Sequence, residues 1–391
     1  MSARRGTSLK VQDQKEKLKR RIITLNKETK RCIPSKRYDL RSVAHSEIKA
    51  GCLNRKKIRR VIIILRSPGC EWAVTDGGGC TMCGHLAGAL GGKEIPAEIY
   101  IDQFLRKFKA FDYSHFPMLC VYNSGSFLNE CEVNPKARRE ILKIIATEKN
   151  IKVVILETRP EFITRELVNE IEKILSDKVV EIGVGLETKN DEIREYCVNK
   201  GLNTEQYLEK TKLIVGSKLH LLAYVLIKPP FLTEKEAIQD AIETARFAFQ
   251  HGADVVSLEP VSIQDFTLVH YLHEGGVFDP PWLWSVIEVA RATASFGFVR
   301  IGGFEFMPIP KIFTHSCPNC NAEVVSAIDR FNSTSDLSSF DGLDCECKTR
   351  WRQELEQTQP LPLHERINQI LDQLDGKRYI PENFKVDCLA R

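Results

Sequence analysis

The chain has 391 residues, of which 43% are hydrophobic and 28% are charged, values typical of a globular protein with one large α/β domain plus appendages. It contains thirteen cysteines, but neither a signal-peptide pattern nor an apolar run of about 18 residues, which argues against a disulfide scaffold and a membrane span. We therefore expect a cytoplasmic protein in which clustered cysteines bind metal.

Residues 1–60 carry 20 Lys and Arg against 5 Asp and Glu, so a basic N-terminal extension precedes a net acidic body. A helical pattern over residues 12–25 has few apolar positions and predicts only weak attachment to that body. The charge indicates a polyanionic partner such as RNA, with a solvated tail as the alternative. Cys32 and Cys52 are interpreted as buried or free thiols without a metal.

From Val61 onwards, short runs rich in Val, Ile and Leu alternate with amphipathic helical patterns. The predicted strands are residues 61–65, 118–122, 152–156, 180–186, 220–227 and 254–258. The predicted helices are residues 101–111, 135–147, 161–175, 191–196 with 204–214, 233–250 and 282–295. This alternation predicts a parallel sheet covered by helices, and the run 298–306 is a candidate for an additional edge element.

The first predicted strand leads into a loop that places Cys70, Cys80 and Cys83 within 14 residues. The three glycines at 77–79 exclude a continuous helix between these thiols. Structural zinc takes four nitrogen or sulfur ligands, whereas three thiolates on a [4Fe–4S] cluster leave one iron open. The alternatives are a zinc site completed by His85 and an incidental cysteine-rich turn.

This loop resembles that of the radical SAM enzymes, in which S-adenosylmethionine (SAM) chelates the open iron through its amino and carboxylate groups. The pair Cys80 and Cys83 fits the second half of the family's Cys-x3-Cys-x2-Cys pattern, whereas the gap between Cys70 and Cys80 is longer. The resemblance implies a partial (β/α)6 radical SAM (TIM-like) barrel. It also implies a catalytic [4Fe–4S] cluster on Cys70, Cys80 and Cys83.

Polar residues follow the other predicted strands, at the edge where parallel barrels place their active sites. In radical SAM enzymes the loop after the second strand contacts the SAM amino group, and here it contains Ser124, Gly125 and Ser126; an ordinary turn is the alternative. Glu157 and Arg159 follow the third strand, where they suit the ribose or ammonium of SAM and its carboxylate, unless they form a simple surface pair.

The fourth predicted strand ends at Glu187, a further candidate for SAM binding. Gly183 and Gly185 within this strand would allow a ligand to lie close to its backbone. Lys228 after the fifth strand and Glu259 after the sixth are candidates for substrate contacts. Lys228 equally fits a surface residue whose ammonium extends to solvent.

Four sequence blocks carry a narrower resemblance: Pro68-Gly69-Cys70-x-Trp72, Gly78-Gly79-Cys80-Thr81-Met82-Cys83-Gly84, Ser124-Gly125-Ser126-Phe127-Leu128 and Glu157-Thr158-Arg159-Pro160. In combination they resemble the radical SAM subunits of archaeosine synthase, whose core is similar to the radical SAM half of the Elongator catalytic subunit. The resemblance covers roughly residues 55–355.

This family resemblance implies a C–N lyase that acts on tRNA. The 5′-deoxyadenosyl radical would abstract a hydrogen from the lysine moiety of a lysine–preQ0 adduct, and cleavage of the C–N bond would then form archaeosine. The implied partners are tRNA, the lysine-transferring subunit of archaeosine synthase in a hetero-complex, and an electron donor such as ferredoxin or flavodoxin. The alternatives are a methylthiolating or carboxymethylating radical SAM tRNA enzyme and a zinc-dependent RNA-binding protein.

Two further pairs of thiols lie near the C-terminus, Cys317 with Cys320 and Cys345 with Cys347. Together they resemble a structural zinc site, which would contribute folding energy to this region. His315 is an alternative ligand for one thiol of the second pair, and a second iron–sulfur cluster or free thiols are alternative interpretations.

The predicted domains are a basic extension at 1–60, a radical SAM barrel at 61–305 and a Cys-rich region with a tail helix at 306–391, the helix spanning residues 363–374. Trp351 is interpreted either as a base-stacking residue or as a cap on the metal site. The remaining cysteines, interpreted as structural, are Cys120, Cys131, Cys197 and Cys388.

Overall fold

The computed structural model of the chain describes residues 2–302 and 308–376, with side chains for residues 12–302 and 308–375. Eight strands form one sheet in chain order: β1 (His45–Leu53), β2 (Lys56–Leu65), β3 (Met118–Asn123), β4 (Val153–Thr158), β5 (Val179–Glu187), β6 (His220–Ile227), β7 (Val255–Pro260) and β8 (Phe298–Ile301). β1 pairs antiparallel with β2, and the later pairs are parallel.

Twelve helices are described, together with a π-helical segment at Ile193–Val198 and short 3-10 turns. They are α1 (Ser2–Arg31), α2 (Glu71–Val74), α3 (Ala97–Phe108), α4 (Pro135–Thr147), α5 (Arg165–Ile174), α6 (Thr204–Val215), α7 (Glu234–Gln250), α8 (Leu268–Glu274), α9 (Leu283–Thr293), α10 (Asn321–Thr334), α11 (Lys348–Leu355) and α12 (Leu363–Gly376). Across residues 2–302 and 308–376, no helix combines the length and apolarity needed to cross a membrane.

The sheet curls so that side chains from distant strands meet on its inner face. Arg300 on β8 contacts Glu181 on β5 at 2.7 Å, although two strands lie between them in the sheet. Because successive strand residues point to opposite faces, Ile62 and Ile155 line the inner face, whereas Val61 and Val154 pack outward against the helices. The partial barrel predicted from the sequence is confirmed, and β1 and β8 extend it beyond the six predicted strands.

The N-terminal helix α1 is anchored to the barrel, and the prediction that it is weakly attached was wrong. Leu18 and Ile22 lie one helical turn apart and are at most 1% exposed within an apolar cluster that includes the π-helical segment and α8. Ion pairs strengthen this contact, since Arg21 binds Asp372 and Asp375 of α12 at 2.7 and 2.6 Å. Residues 12–31 therefore contribute to the core in addition to carrying positive charge.

The C-terminal region covers the gap between the two end strands of the sheet. Helix α10 contacts β1, β2 and β8. The amide of Asn332 on this helix binds the backbone of Ile301 in both directions, at 2.8 and 2.7 Å. Because these bonds satisfy backbone groups that an edge strand leaves open, α10 helps to close the barrel.

Several sequence predictions lie outside the described residues. These are residues 303–306 of the last predicted edge element, the boundary at 305/306 and Cys388. The domain boundary at residue 60 stays a prediction, although β1 pairs with β2 across it. Cys32 and Cys52, interpreted as buried or free thiols, are buried, as are Cys120 and Cys197, which were interpreted as structural, whereas Cys131 is exposed.

Asp240 on α7 supports the end of β5 and provides a test of pH dependence. Its buried carboxylate accepts a hydrogen bond from the Thr188 hydroxyl at 2.7 Å, while Oδ2 has no partner in the described chain. Burial raises the pKa of Asp240 to about 6, above the value of about 3.9 expected in the unfolded chain. Its contribution to stability is therefore complete below pH ~3.9 and is lost as the pH rises through about 6.

We expect Asp240→Asn to raise the thermal midpoint relative to the wild type at a pH well above the carboxyl's pKa. The advantage should shrink when both proteins are melted below that pKa, because the wild-type carboxyl is then neutral as well. Thermal unfolding at the two pH values provides the measurement. An equal shift at both would show that ionisation of Asp240 does not affect stability.

Candidate active site

The three thiols of the first cysteine loop lie close enough to influence one another, beyond the carboxyl end of β2. Burial, Glu132 and the thiols of Cys80 and Cys83 raise the pKa of Cys70 to about 12. All three cysteines are free and partly exposed. Among the described residues they do not form a group compact enough to hold a single metal ion, whereas sulfurs sharing one zinc at 2.3 Å bonds are about 3.8 Å apart.

This donor set fits an iron–sulfur cluster better than a zinc ion, because a cubane accepts each thiolate on a different iron. The structure therefore favours the cluster over a zinc site completed by His85, although the assignment of Cys70, Cys80 and Cys83 as ligands stays a prediction. A positively charged side chain also faces the loop. Lys30 of α1 is buried, and burial lowers its pKa. The negative charges of these three thiols oppose this effect and offset part of it.

Hydrogen bonds from distant segments fix the shape of this loop. Asn26 of α1 donates to the carbonyl of Gly79 at 2.7 Å. Asn199, which follows the π-helical segment, donates to the carbonyls of Gly77 and Gly79 at 2.8 and 2.7 Å. The indole of Trp72 returns a bond to the Asn199 carbonyl at 2.7 Å, so the glycine run is held on both sides. Neither asparagine is identifiable as part of the site from local sequence.

Glu132 joins the cysteine loop to the loop after β3. Its carboxylate accepts the backbone N–H of Glu71 at 2.9 Å and that of Ser126 at 2.5 Å. The amides of Asn123 and Asn129 donate to it as well, each at 3.1 Å. The side chain is buried, so these four donors depend on one carboxylate.

Replacing Glu132 by glutamine is expected to destabilise both loops. A glutamine has one acceptor oxygen, and its NH2 group would face N–H donors that then lose their partner. Two donors meet each carboxylate oxygen, so at about 1–3 kcal/mol for each buried donor left unsatisfied we expect the free energy of unfolding to fall by roughly 2–6 kcal/mol. Denaturant unfolding under anaerobic conditions measures this loss.

Glu130→Gln provides the matched control, because the Glu130 side chain is 67% exposed two residues away. Its unfolding should resemble that of the wild type. Equal stability of the Glu132 and Glu130 variants would contradict the bridging role.

The loop after β3 approaches the cysteine loop closely at Gly125. A Cβ atom at this position would lie 2.8 Å from the Cα atom of Cys70 and closer still to the Glu132 carboxylate. Gly125 therefore lets the loop after β3 lie directly against the cysteine loop. Ser126 accepts a hydrogen bond from the Arg159 backbone at 3.1 Å, and Ser124 is buried beside them.

Of the two residues predicted after the third strand, Glu157 lies within β4, where it accepts the Tyr224 hydroxyl at 2.6 Å, and Arg159 follows β4 near the cysteines. The guanidinium of Arg159 lies 5.4 Å from the Trp72 ring and donates to the Lys200 carbonyl at 2.7 Å. The charges of Cys70 and Cys80 contribute to raising the pKa of Arg159, against the effect of its burial. Since Glu161 also binds Arg159, at 2.5 Å, this side chain is positioned without a ligand.

The two glycines of β5 make room for protein side chains, so the expectation that they admit a ligand was wrong for this structure. A Cβ at Gly183 would lie 2.7 Å from the Tyr224 hydroxyl. A Cβ at Gly185 would lie 2.3 Å from both the Glu187 carboxylate and the Lys200 ammonium. Glu187 and Lys200 form a buried ion pair at 2.5 Å. The carboxylate that was predicted to bind SAM is therefore already paired with a lysine.

The two substrate candidates have different surroundings. Lys228 is buried and binds the Glu234 carboxylate at 2.7 Å. This ion pair balances the lysine charge without a substrate, and the burial excludes an ammonium that extends to solvent. Glu259 faces the lumen, where burial raises its pKa to about 7. The Ser257 hydroxyl donates to this carboxylate at 2.6 Å. No cationic side chain of the described residues forms an ion pair with it.

The C-terminal thiols form a compact site that is able to hold a metal. The sulfurs of Cys317, Cys320, Cys345 and Cys347 lie within 4.8 Å of one another. The distances from Cys317 to Cys320 and Cys345 are 3.5 Å, and that between Cys320 and Cys347 is 3.6 Å. These values are near the ~3.8 Å spacing of thiolates around one zinc, so this set is complete without His315.

Aromatic residues cover this C-terminal site. The indole of Trp284 contacts the Cys347 sulfur at 3.2 Å, and that of Trp351 donates to Ser285 at 2.8 Å. Trp351 is only partly exposed. These contacts favour its interpretation as a cap on the metal site over a base-stacking surface.

No family model matches the chain. It is 34% identical over 307 residues to archaeosine synthase subunit beta of Methanosarcina acetivorans, a match that spans 78% of this chain and 87% of that relative. The chain belongs to the archaeosine synthase subunit beta family. A second member, from Thermococcus kodakarensis, is 32% identical over 295 residues, which is 74% of this chain and 90% of that relative.

Family membership confirms the resemblance to archaeosine synthase subunits predicted from the four sequence blocks. An archaeal Elp3 structure from Methanocaldococcus infernus is also similar, with 20% identity, a TM-score of 0.40 and coverage of 61% of this chain and 59% of that one. At this TM-score the likeness adds nothing to the assignment, which depends on the sequence relatives.

Proposed function

We propose that this family member is a radical SAM enzyme of tRNA modification that cleaves the C–N bond of a lysine–preQ0 adduct and leaves archaeosine in the tRNA. The observation that carries the proposal is the position of Cys70, Cys80 and Cys83, grouped beyond the carboxyl end of the first parallel strand of a curled sheet. The names of the sequence relatives supply the product.

The proposed cofactors are a [4Fe–4S] cluster and SAM. When bound, they supply an electron and the 5′-deoxyadenosyl radical that abstracts hydrogen from the lysine moiety. Cys70, Cys80 and Cys83 would hold the cluster. The SAM contacts are assigned to the loop Ser124–Ser126, to Glu157 and Arg159, and to Glu187, whose ion pair with Lys200 would have to open or be shared.

The lumen suits a reaction that requires tight positioning. A carbon radical attacks most C–H bonds that it meets, so the target hydrogen must be held close and other donors kept away. Met118, Val153 and Leu222 make the inner face apolar and are at most 2% exposed. The chain therefore provides orientation and exclusion of water, while the cofactors provide the reactivity.

The proposed partners follow from the family and from charge. The designation "subunit beta" of both relatives supports a complex with a second, lysine-transferring subunit. The basic residues of 1–60 suit tRNA phosphates. A ferredoxin or flavodoxin is the proposed electron donor, a structural zinc is assigned to the C-terminal thiols, and the cytoplasm is the proposed compartment.

Mass spectrometry of modified tRNA tests the activity directly. Reconstituted protein, SAM and dithionite are incubated anaerobically with tRNA that carries the lysine adduct. We expect the adduct nucleoside to disappear, archaeosine to accumulate and 5′-deoxyadenosine to form. Formation of 5′-deoxyadenosine with an unchanged nucleoside would favour another radical SAM modification, and zinc without iron would favour an RNA-binding protein.

A further inference from the structure

One buried ammonium beside the cysteine loop has no negatively charged partner in the described chain. Lys30 lies in the last turn of α1 and is 8% exposed. Its ammonium donates to the backbone carbonyl of Cys80 at 3.5 Å, the long limit of a hydrogen bond, and no carboxylate among residues 12–302 and 308–375 forms an ion pair with it. Because a buried charge is costly without an opposite charge nearby, this ammonium indicates a negative charge that the polypeptide does not supply.

The contacts of α1 place this ammonium against a candidate cluster ligand. Asn26, one helical turn earlier on the same face of α1, donates to the Gly79 carbonyl at 2.7 Å. A Cβ atom at Gly79 would lie 3.1 Å from the Cε atom of Lys30. Asn26 and Lys30 therefore contact two successive residues of the loop, and the second of these is Cys80.

Two other buried cations near the loop already have carboxylate partners. The guanidinium of Arg159 binds Glu161 at 2.5 Å, and the ammonium of Lys200 binds Glu187 at 2.5 Å. Each of these charges is balanced by the protein itself. Lys30 differs from them in that its charge remains available to an anionic group bound at the loop.

We propose that Lys30 is a positioning residue whose positive charge stabilises the reduced state of an iron–sulfur cluster held by Cys70, Cys80 and Cys83. This inference rests on the proposed function, which assigns a [4Fe–4S] cluster to this loop. On reduction one electron passes from the reductant to the cluster, which gains one negative charge. The net charge around a cluster is one of the properties that set its reduction potential, so a fixed cation beside a ligand favours the reduced form and raises the potential.

The burial of Lys30 makes its charge more effective than that of a surface lysine. Water and salt screen charges in a protein interior less than they screen exposed ones. The same burial makes Lys30 unfavourable in the protein without the cluster, because only a carbonyl then opposes its charge. Lys30 and the cluster should therefore stabilise each other, and removing one should change the effect of removing the other.

A redox titration of the reconstituted full-length protein, followed by EPR, tests the role of the charge. Titanium(III) citrate is the reductant, and SAM is left out because its carboxylate would bring a further charge. Lys30→Met removes the charge and the hydrogen bond, whereas Lys30→Gln keeps a hydrogen-bond donor without the charge. In both variants we expect the equilibrium constant for one-electron reduction to fall at least ~10-fold, which is a shift of about 59 mV to lower potential. Lys30→Arg keeps the charge and should stay close to the wild type.

Thermal unfolding of the protein with and without the cluster gives a readout that is independent of redox chemistry. Without iron, Lys30→Met should melt at a higher temperature than the wild type, because an apolar side chain of similar volume replaces an uncompensated charge. With the cluster bound, this advantage should disappear or reverse. The difference between the two shifts measures the coupling between Lys30 and the cluster.

Lys27→Met is the matched control for both measurements. Lys27 lies three residues before Lys30 on the same helix, and its ammonium binds Asp76 of the same loop at 3.0 Å. Unlike Lys30, its side chain is 33% exposed, so solvent screens its charge. The Lys27→Met variant should keep the potential of the wild type and should show the same change in thermal midpoint with and without the cluster.

Two results would overturn the inference. A wild-type potential in Lys30→Met or Lys30→Gln would show that the charge does not act on the cluster. An equal change in thermal midpoint with and without the cluster would assign Lys30 to the carboxyl end of α1 alone. Iron content and loss of the adduct nucleoside are measured separately. A lowered potential without adduct loss would reject the proposed C–N cleavage and keep the role of Lys30, adduct loss with an unchanged potential would do the reverse, and a protein that binds no iron would reject both.

Discussion

Replacing Cys83 by alanine is expected to abolish both the iron–sulfur cluster and the cleavage of SAM. Three thiolates are the minimum that the proposed site offers to a cubane, and removing one leaves two irons without a protein ligand. Anaerobic reconstitution followed by iron and sulfide analysis should show loss of the cluster. Formation of 5′-deoxyadenosine from SAM and dithionite should fall to the level of a protein-free reaction.

Cys131 provides the matched control for this experiment. It is a free, exposed cysteine on the loop between β3 and α4, and the Cys131→Ala variant should keep its iron and its activity. Cys70→Ala and Cys80→Ala should both behave like Cys83→Ala. Retention of a full cluster and of turnover in any of these three variants would remove that cysteine from the site and weaken the radical mechanism.

Replacing Cys345 by serine is expected to empty the C-terminal metal site and to destabilise the chain. The wild type should contain about one zinc per chain in addition to its iron, and the variant should lose the zinc but keep the iron. Loss of a structural metal is one of the few single changes that cost more than roughly 4 kcal/mol. Metal analysis and denaturant unfolding measure the two effects.

The loss should extend beyond the metal site itself. Cys320 lies at the start of α10, and α10 contacts both end strands of the sheet. Hydrogen exchange should therefore increase in β1 and β8 of the Cys345→Ser variant. His315→Ala is the control, because His315 lies outside the set of four thiols; zinc loss in that variant would show that the histidine is a ligand.

The parts of the fold that sequence predicted well are those determined by local pattern. Buried parallel strands are continuous apolar runs, so β2 to β7 are recognisable, and α4 has the predicted bounds of Pro135–Thr147. β1 lacks this pattern, because its residues His45, Glu47 and Lys49 are polar and partly exposed on an edge strand. It was therefore not predicted.

The parts of the candidate site that could be predicted are those that residue type and spacing alone indicate. Clustered cysteines indicate metal ligands whatever the surrounding fold. Glu132, Asn199 and Lys200 are not recognisable in this way, because each acts through a contact with a segment far away in the chain. Gly183 shows the same limit, since its small size is required by Tyr224 on the neighbouring strand, and no local pattern distinguishes that neighbour from a ligand.

The attachment of α1 has a consequence for how the cofactor is loaded. This helix is synthesised before the rest of the described chain, yet Arg21 binds Asp372 and Asp375, which are among the last described residues to be synthesised. Until Asp372 and Asp375 are synthesised, these ion pairs cannot hold α1 in the position from which Asn26 and Lys30 contact the cysteine loop. We expect a cluster-delivery protein to reach the nascent loop more readily than that of the finished chain, where α1 is docked against the loop.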